Sequence, residues 1–147
     1  MRKRVIVYGI ILTLILGFIW GNSMLSREVS GAISHFLADI LGGGQGSTDE
    51  GHFLLRKAGH FVEFAFLGAI FQLFIREILK DGLSRALASA LVGVLVALID
   101  ETIQIFSNRG YALPDVWIDI SGYALGCALV ILMLGLVSLA LKRTQNE

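Results

Sequence analysis

Three stretches of this chain place ionisable side chains at spacings that share helix faces. His60 and Glu63 are three residues apart, with Arg56 and Lys57 one turn before His60. Asp100 and Glu101 are followed by Gln104 and then Arg109, and Asp115 and Asp119 are four apart. Residues three or four apart are neighbours on a helix, so each stretch offers a compact polar patch. A carboxylate beside an imidazole orients and charges it, so His60 with Glu63 reads as an acid–base pair. Asp100 and Glu101 stand about 100° apart on a helix, so one can face a site while the other meets Arg109 or water. Crowded in a poorly hydrated layer, they suit a general acid. Arg56, Lys57 and Arg109 carry the head groups that hold phosphates. Gln104, Asp115 and Asp119 complete the expected binding set.

Each reading has a plain structural counterpart. Buried polar groups are paired in any protein, and basic side chains snorkel to lipid headgroups or neutralise acids. For Lys57 that bland role leads. Asp115, just after Pro114, suits a helix N-terminus. Asp119 lies a turn deeper, where it would neutralise an arginine or join a metal site. His60, Glu63, one of Asp100 or Glu101, and Asp119 form an N/O set of the zinc or manganese kind. No HExxH or comparable spacing is present. The expectation is therefore no cofactor and no metal ligand, with a divalent ion as the lesser alternative.

These patches must be carried by elements of a particular kind. Of 147 residues, 55% are hydrophobic and only 16% charged. A soluble domain is about 25% charged, so the chain reads as an integral membrane protein. The net charge of zero argues against a nucleic-acid partner, and the single Cys127 excludes a disulfide framework. Four apolar runs, about 5–21, 58–75, 83–105 and 116–141, have spanning length, and none alternates with period two. The expected fold is all-α, with four transmembrane helices in one domain over 1–147. The first run follows Arg2-Lys3-Arg4 but lacks a small-x-small cleavage site, so it reads as a retained anchor. Gly17-x-x-x-Gly21 and Gly122-x-x-x-Gly126 read as packing faces within the bundle, and Trp20 and Trp117 as interface anchors.

With four spans, eight basic residues fall on the side of the termini and four on the other. That bias puts both termini in the cytoplasm and the loops at 21–57 and about 106–115 outside. The neutral total thus splits into an inner excess of base and an outer excess of acid. His60 and Glu63, Asp100 to Gln104, and Asp115 to Asp119 all fall at one outer depth. Glu63, for example, is about 8 Å inside its span at a rise of about 1.5 Å per residue. Residues 24–41 place Met24, Val29, Phe36, Leu37 and Ile40 on an apolar face with polar residues between. They read as an extracytoplasmic amphipathic interfacial helix, ended by the glycine-rich 42–47.

These residues carry a resemblance. Arg56-Lys57-x-x-His60-Phe61-x-Glu63-Phe64, Asp100-Glu101-x-x-Gln104-x-Phe106-x-x-Arg109 and Asp115-Val116-x-x-Asp119-x-x-Gly122-x-x-x-Gly126 together resemble the VanZ-like family. They cover 56–126, about half the chain. The family often has Tyr where Phe64 stands and Asn where Asp119 stands. The resemblance implies four spans and a cell-membrane protein linked to lowered susceptibility to teicoplanin-type lipoglycopeptides. It supplies no settled reaction, so enzymatic and non-enzymatic uses both stay open. The first is an outward pocket that binds, and in the enzymatic form modifies, a phosphate-bearing lipid or lipid-linked cell-wall precursor. There Arg56 and Arg109 hold the anion, His60 or Glu63 is the base, and Glu101 or Asp100 the acid. The second is contact with lipid, antibiotic or a partner protein through the amphipathic helix. A proton-coupled transporter fits less well, because spans one and four offer few polar residues on the inner half.

Overall fold

The computed structural model describes residues 2–25, 29, 31, 32, 36, 40, 49–107 and 113–145, with side chains described from 54 onward in the second helix. Four helices follow in chain order: α1 (Arg2–Ser23), α2 (Asp49–Ile78), α3 (Gly82–Phe106) and α4 (Leu113–Thr144). All four are long and apolar enough to cross a membrane, and no strand occurs among the described residues. Helices are forced on such sequences, because a backbone in hydrocarbon must satisfy its own hydrogen bonds. Pro114 sits in the first turn of α4, where no N–H is needed. Asp81 caps α3, its carboxylate accepting from the Ser84 N–H at 2.7 Å. That bond holds the Asp81 carboxyl below the usual carboxylate range.

The helices alternate in direction. Near the chain termini Arg4 of α1 meets Glu77 of α2 at 3.6 Å, while at the opposite end Asn22 donates to Glu63 at 3.2 Å. Ser23 at the close of α1 reaches Asp100 near the close of α3. Lys57 near the start of α2 reaches Asp115 in the first turn of α4. The end of the bundle remote from the chain termini, called distal below, therefore gathers two helix starts and two helix ends. Helix α2 packs on all three others. Its Phe64, Leu67, Phe71 and Ile75 meet Ile19 of α1, Val96 and Ala97 of α3, and Val116 and Tyr123 of α4 in the buried core. The outward faces stay apolar, with Leu14, Phe18, Leu91 and Leu136 all more than half exposed. In water that surface would aggregate, whereas in lipid it is the solvated face.

The tightest contact joins α2 to α4, backbone against backbone. A Cβ at Gly122 would overlap the Phe61 carbonyl, one at Gly126 the Ala65 carbonyl, and one at Gly68 the Tyr123 carbonyl. Gly93 of α3 faces the Tyr123 ring, which would lie 2.6 Å from an added Cβ. Gly122-x-x-x-Gly126 thus packs within the bundle as expected. Gly17 and Gly21 do not, since nothing lies within 4 Å of a Cβ built at either. That face of α1 is turned outward, away from α2. Trp20 likewise departs from its expected place. It packs against the core, while Trp117 is 66% exposed as an anchor should be.

The helices extend past their apolar runs. Helix α2 begins at Asp49 rather than near 58, and α4 runs from Leu113 to Thr144 rather than 116–141. Apolar runs mark the lipid-buried core of a helix, but a helix continues through polar residues once its hydrogen-bond ladder is running. Of the expected interfacial helix over 24–41, Val29, Gly31, Ala32, Phe36 and Ile40 are described as helical, with Phe36 64% and Ile40 65% exposed. Met24 and Leu25, expected in that helix, form a turn and a bend after α1; the other residues of the segment, and the glycine-rich 42–47, lie outside the described residues.

Gly126→Ala should lower thermal stability in detergent by about 1–3 kcal/mol, the usual cost of forcing a group into a full space. Gly135→Ala, where nothing lies within 4 Å, should leave it unchanged or raise it. A thermal melt of the two variants side by side reads the difference.

Candidate functional site

The distal end collects the polar side chains that the sequence singles out. Asp100, Glu101 and Asp119 are 0%, 1% and 1% exposed, although all three lie in apolar spans. His60 Nδ1 faces two of them, 3.8 Å from Asp100 Oδ2 and 3.9 Å from Asp119 Oδ1. Gln104 donates to Asp100 Oδ2 at 2.8 Å, and Ser23 Oγ donates to Asp100 Oδ1 at 2.7 Å. Asp100 is thus held by its own helix and by α1, with His60 of α2 and Asp119 of α4 against it. All four helices meet at this carboxylate.

The other sequence candidates surround this centre. Glu63 accepts from Asn22 on the α1 side. Lys57 Nζ lies 2.6 Å from Asp115 Oδ1, so Lys57 neutralises an acid, the role favoured for it. Asp115 sits inside the first turn of α4, where the helix dipole suits it, and spends its carboxylate on Lys57 rather than on a cap. Arg56 is half-buried one turn before His60. Arg109 lies outside the described residues. Asp100 and Glu101 do not divide between site and water. Both are buried, because they fall with Ala97 and Gln104 on the one side of α3 that meets its neighbours, while Thr102 and Phe106 on the other side are exposed.

Two participants come from residues the sequence reading passed over. Asn22 and Ser23 follow the apolar run of α1 and read as the start of a loop. They stay helical, and Ser23 is fully buried. The signal was there in two small polar residues directly after a span, where a helix end meets the polar layer of its neighbours.

Cavities lined by described residues flank the bundle. One of about 340 Å³ is lined by Ile11, Leu14, Phe18, Ile19 and Phe66, with Glu63 at its polar end. The larger, about 550 Å³, lies toward the other half, with Gln72, Arg76, Arg85, Ser89, Tyr123 and Cys127 in its wall. There Ser89 Oγ donates to Gln72 Oε1 at 3.1 Å and Cys127 Sγ to the Gly68 carbonyl at 3.3 Å.

A model of the VanZ/LLP1 family matches residues 5–134. This chain belongs to the VanZ/LLP1 family. The match spans every residue of the distal layer, from Asn22 to Asp119. It is a VanZ-like membrane protein, of a family linked in general to glycopeptide resistance. No curated protein and no solved structure matches it.

The distal layer gives this VanZ/LLP1 protein an acid-rich interior. Such a site can hold protons or a cation, and its basic rim at Arg56 and Lys57 can meet an anion. Ser23→Ala should lower stability by about 1.5–3 kcal/mol, the range for a hydrogen bond to a charged group. Ser121→Ala, an exposed serine bonded within its own helix, should leave the melt unchanged. A double-mutant cycle with Asp100→Asn isolates the pair.

Proposed function

We propose that this protein lowers susceptibility to teicoplanin-type lipoglycopeptide antibiotics. In this reading the distal end faces outward from the cell membrane, both termini are cytoplasmic, and the distal layer binds a phosphate-bearing lipid or lipid-linked cell-wall precursor. One observation carries it: acid, imidazole and amide groups from four helices converge in a desolvated layer at one end of the bundle. Charged groups inside a membrane segment are expensive and mark ligand sites by default. The bias of basic residues toward the termini supports the orientation. The apolar groove of about 340 Å³ ending at Glu63 supports a lipid ligand, since an acyl chain fits beside Leu14, Phe18 and Phe66.

If the site also does chemistry, Arg56 and Arg109 hold the phosphate and His60 or Glu63 takes a proton. Asp100 or Glu101 returns one, and Lys57, Gln104, Asp115 and Asp119 shape the layer. Preorganised charge in a partly dry site would supply most of the rate. The second reading is contact without chemistry, through the segment that carries Phe36 and Ile40. Their exposed apolar side chains favour it.

Alanine at His60, Glu63 and Glu101, each at matched membrane levels, should return teicoplanin susceptibility to that of cells lacking the protein. Full protection by all three variants sinks the pocket reading. Phe36→Glu with Ile40→Glu separates the two. If it costs more protection than His60→Ala, contact through that helix is the working mode.

A further inference from the structure

Asp119 differs from its neighbours in the layer. Asp100 accepts from Ser23 and Gln104, Asp115 holds Lys57, and Glu63 accepts from Asn22. Asp119 is 1% exposed, and neither of its carboxylate oxygens has a hydrogen-bond donor. A buried carboxylate in that state is held only where something else compensates it, since buried charges are paired or coordinate metals. Its Oδ1 points at His60 Nδ1 across 3.9 Å, too far for a hydrogen bond. The same nitrogen faces Asp100 Oδ2 across 3.8 Å. One ligating atom from each of His60, Asp100 and Asp119 lies within 4.8 Å of the other two.

Two of the three gaps approach the spacing around an ion, and the third, between the carboxylates, lies within 4.8 Å. Bonds of about 2.0–2.2 Å to nitrogen and oxygen put tetrahedral ligand atoms roughly 3.4 Å apart. The gaps on either side of His60 need close by only a few tenths of an ångström. We propose that His60, Asp100 and Asp119 bind one divalent cation of the zinc or manganese class.

The chemistry of the donors fits. One imidazole nitrogen with two carboxylates suits zinc or manganese, whereas magnesium and calcium prefer oxygen alone. Two carboxylates neutralise a divalent charge, which makes Asp119 affordable inside the span. Asp100 already has the outer support expected of a ligand, with Gln104 and Ser23 fixing its orientation. Its Oδ2 has a second lone pair left for an ion. Three protein ligands leave a position open, as in catalytic rather than structural sites. An ion there would also let an acid-rich layer take a phosphate oxygen, because the metal becomes the largest local charge. That last step rests on the proposed function; the ion itself does not.

The test uses the full chain in detergent or nanodiscs, stripped with chelator and desalted. Cobalt(II) is titrated as the spectroscopic probe, zinc and manganese are loaded separately, and bound metal is counted by mass spectrometry. One ion per chain is expected, with visible cobalt bands that zinc abolishes. His60→Ala and Asp119→Asn should lose stoichiometric binding, and Gln104→Ala should bind about 10–100-fold more weakly. Asp119→Asn keeps the shape and removes the charge, so it guards against misfolding. In chelator it should melt at or above the wild type, yet gain nothing from zinc. No stoichiometric metal on the wild type, or equal binding and equal zinc stabilisation in Asp119→Asn, overturns the proposal in favour of a shared proton. Antibiotic protection is scored separately. Protection that needs His60 in a protein that binds no metal overturns the ion and leaves the lipid reading standing. Metal bound through His60 and Asp119 with full protection in both variants supports the ion and removes the lipid reading.

Discussion

The close approach of α2 and α4 is the constraint on which the rest of the bundle depends. In hydrocarbon, apolar side chains gain nothing by leaving lipid for one another, so association rests on fit and on polar contacts. Gly68, Gly122 and Gly126 let the two backbones touch at Phe61, Ala65 and Tyr123. Phe61 is the residue after His60, and Gly122 comes three after Asp119. The contact that joins the helices therefore also sets the depth at which imidazole and carboxylate face each other. A slip of one turn would carry His60 about 5.4 Å along α4 and dissolve the site.

Given that register, the polar layer completes itself by helix ends. The distal face gathers the starts of α2 and α4 and the ends of α1 and α3. Asp115 lies where the helix dipole favours an acid, and Lys57 closes on it. Ser23 arrives from the end of α1 to satisfy one Asp100 oxygen, and Gln104 satisfies the other from a turn further along α3. The layer is buried but not indiscriminately so. Most of its carboxylates have a donor assigned by topology, and Asp119 is the member whose oxygens do not. The polar cluster costs stability wherever it is incompletely paired, which is the reason to read it as function rather than as glue.

Much of this was legible in the sequence, for reasons that can be named. Four long apolar runs with one proline leave little choice but four spanning helices. Depth was legible too, because the 1.5 Å rise converts residue number into position along a span. Residue number alone puts His60, Asp100 and Asp119 at one level, where their side chains meet. Direction around each helix was less legible. The spacing of adjacent Asp100 and Glu101 predicts that they part, yet both are buried, since they flank the inward line of α3 marked by Ala97 and Gln104, and the exposed side is taken by Thr102 and Phe106. The two glycine pairs look alike in sequence, but only Gly122 and Gly126 face a partner helix; which side of α1 is turned inward depends on Ile19 and Leu12, not on its glycines. Ser23 is hidden from a sequence reading because the apolar run of α1 ends before the helix does.

The same geometry bears on how far charge can travel through the molecule. A second polar pair, Gln72 with Ser89, lies deeper in the bundle. Gln72 is nine residues beyond Glu63 on α2, about 13 Å at the helical rise. Between the two levels the described core holds Phe64, Leu67 and Phe71 of α2, Val96 and Ala97 of α3, and Tyr123 of α4, whose hydroxyl is buried without a hydrogen-bond partner. No hydrogen-bonded chain of described side chains joins the two levels, since the Tyr123 hydroxyl has no partner and its neighbours there are aromatic and aliphatic. A transporter needs its polar groups in series across the membrane. Here the buried carboxylates and His60 are stacked at one end, so a ligand of the proposed kind would reach them from that side or from the lipid beside it.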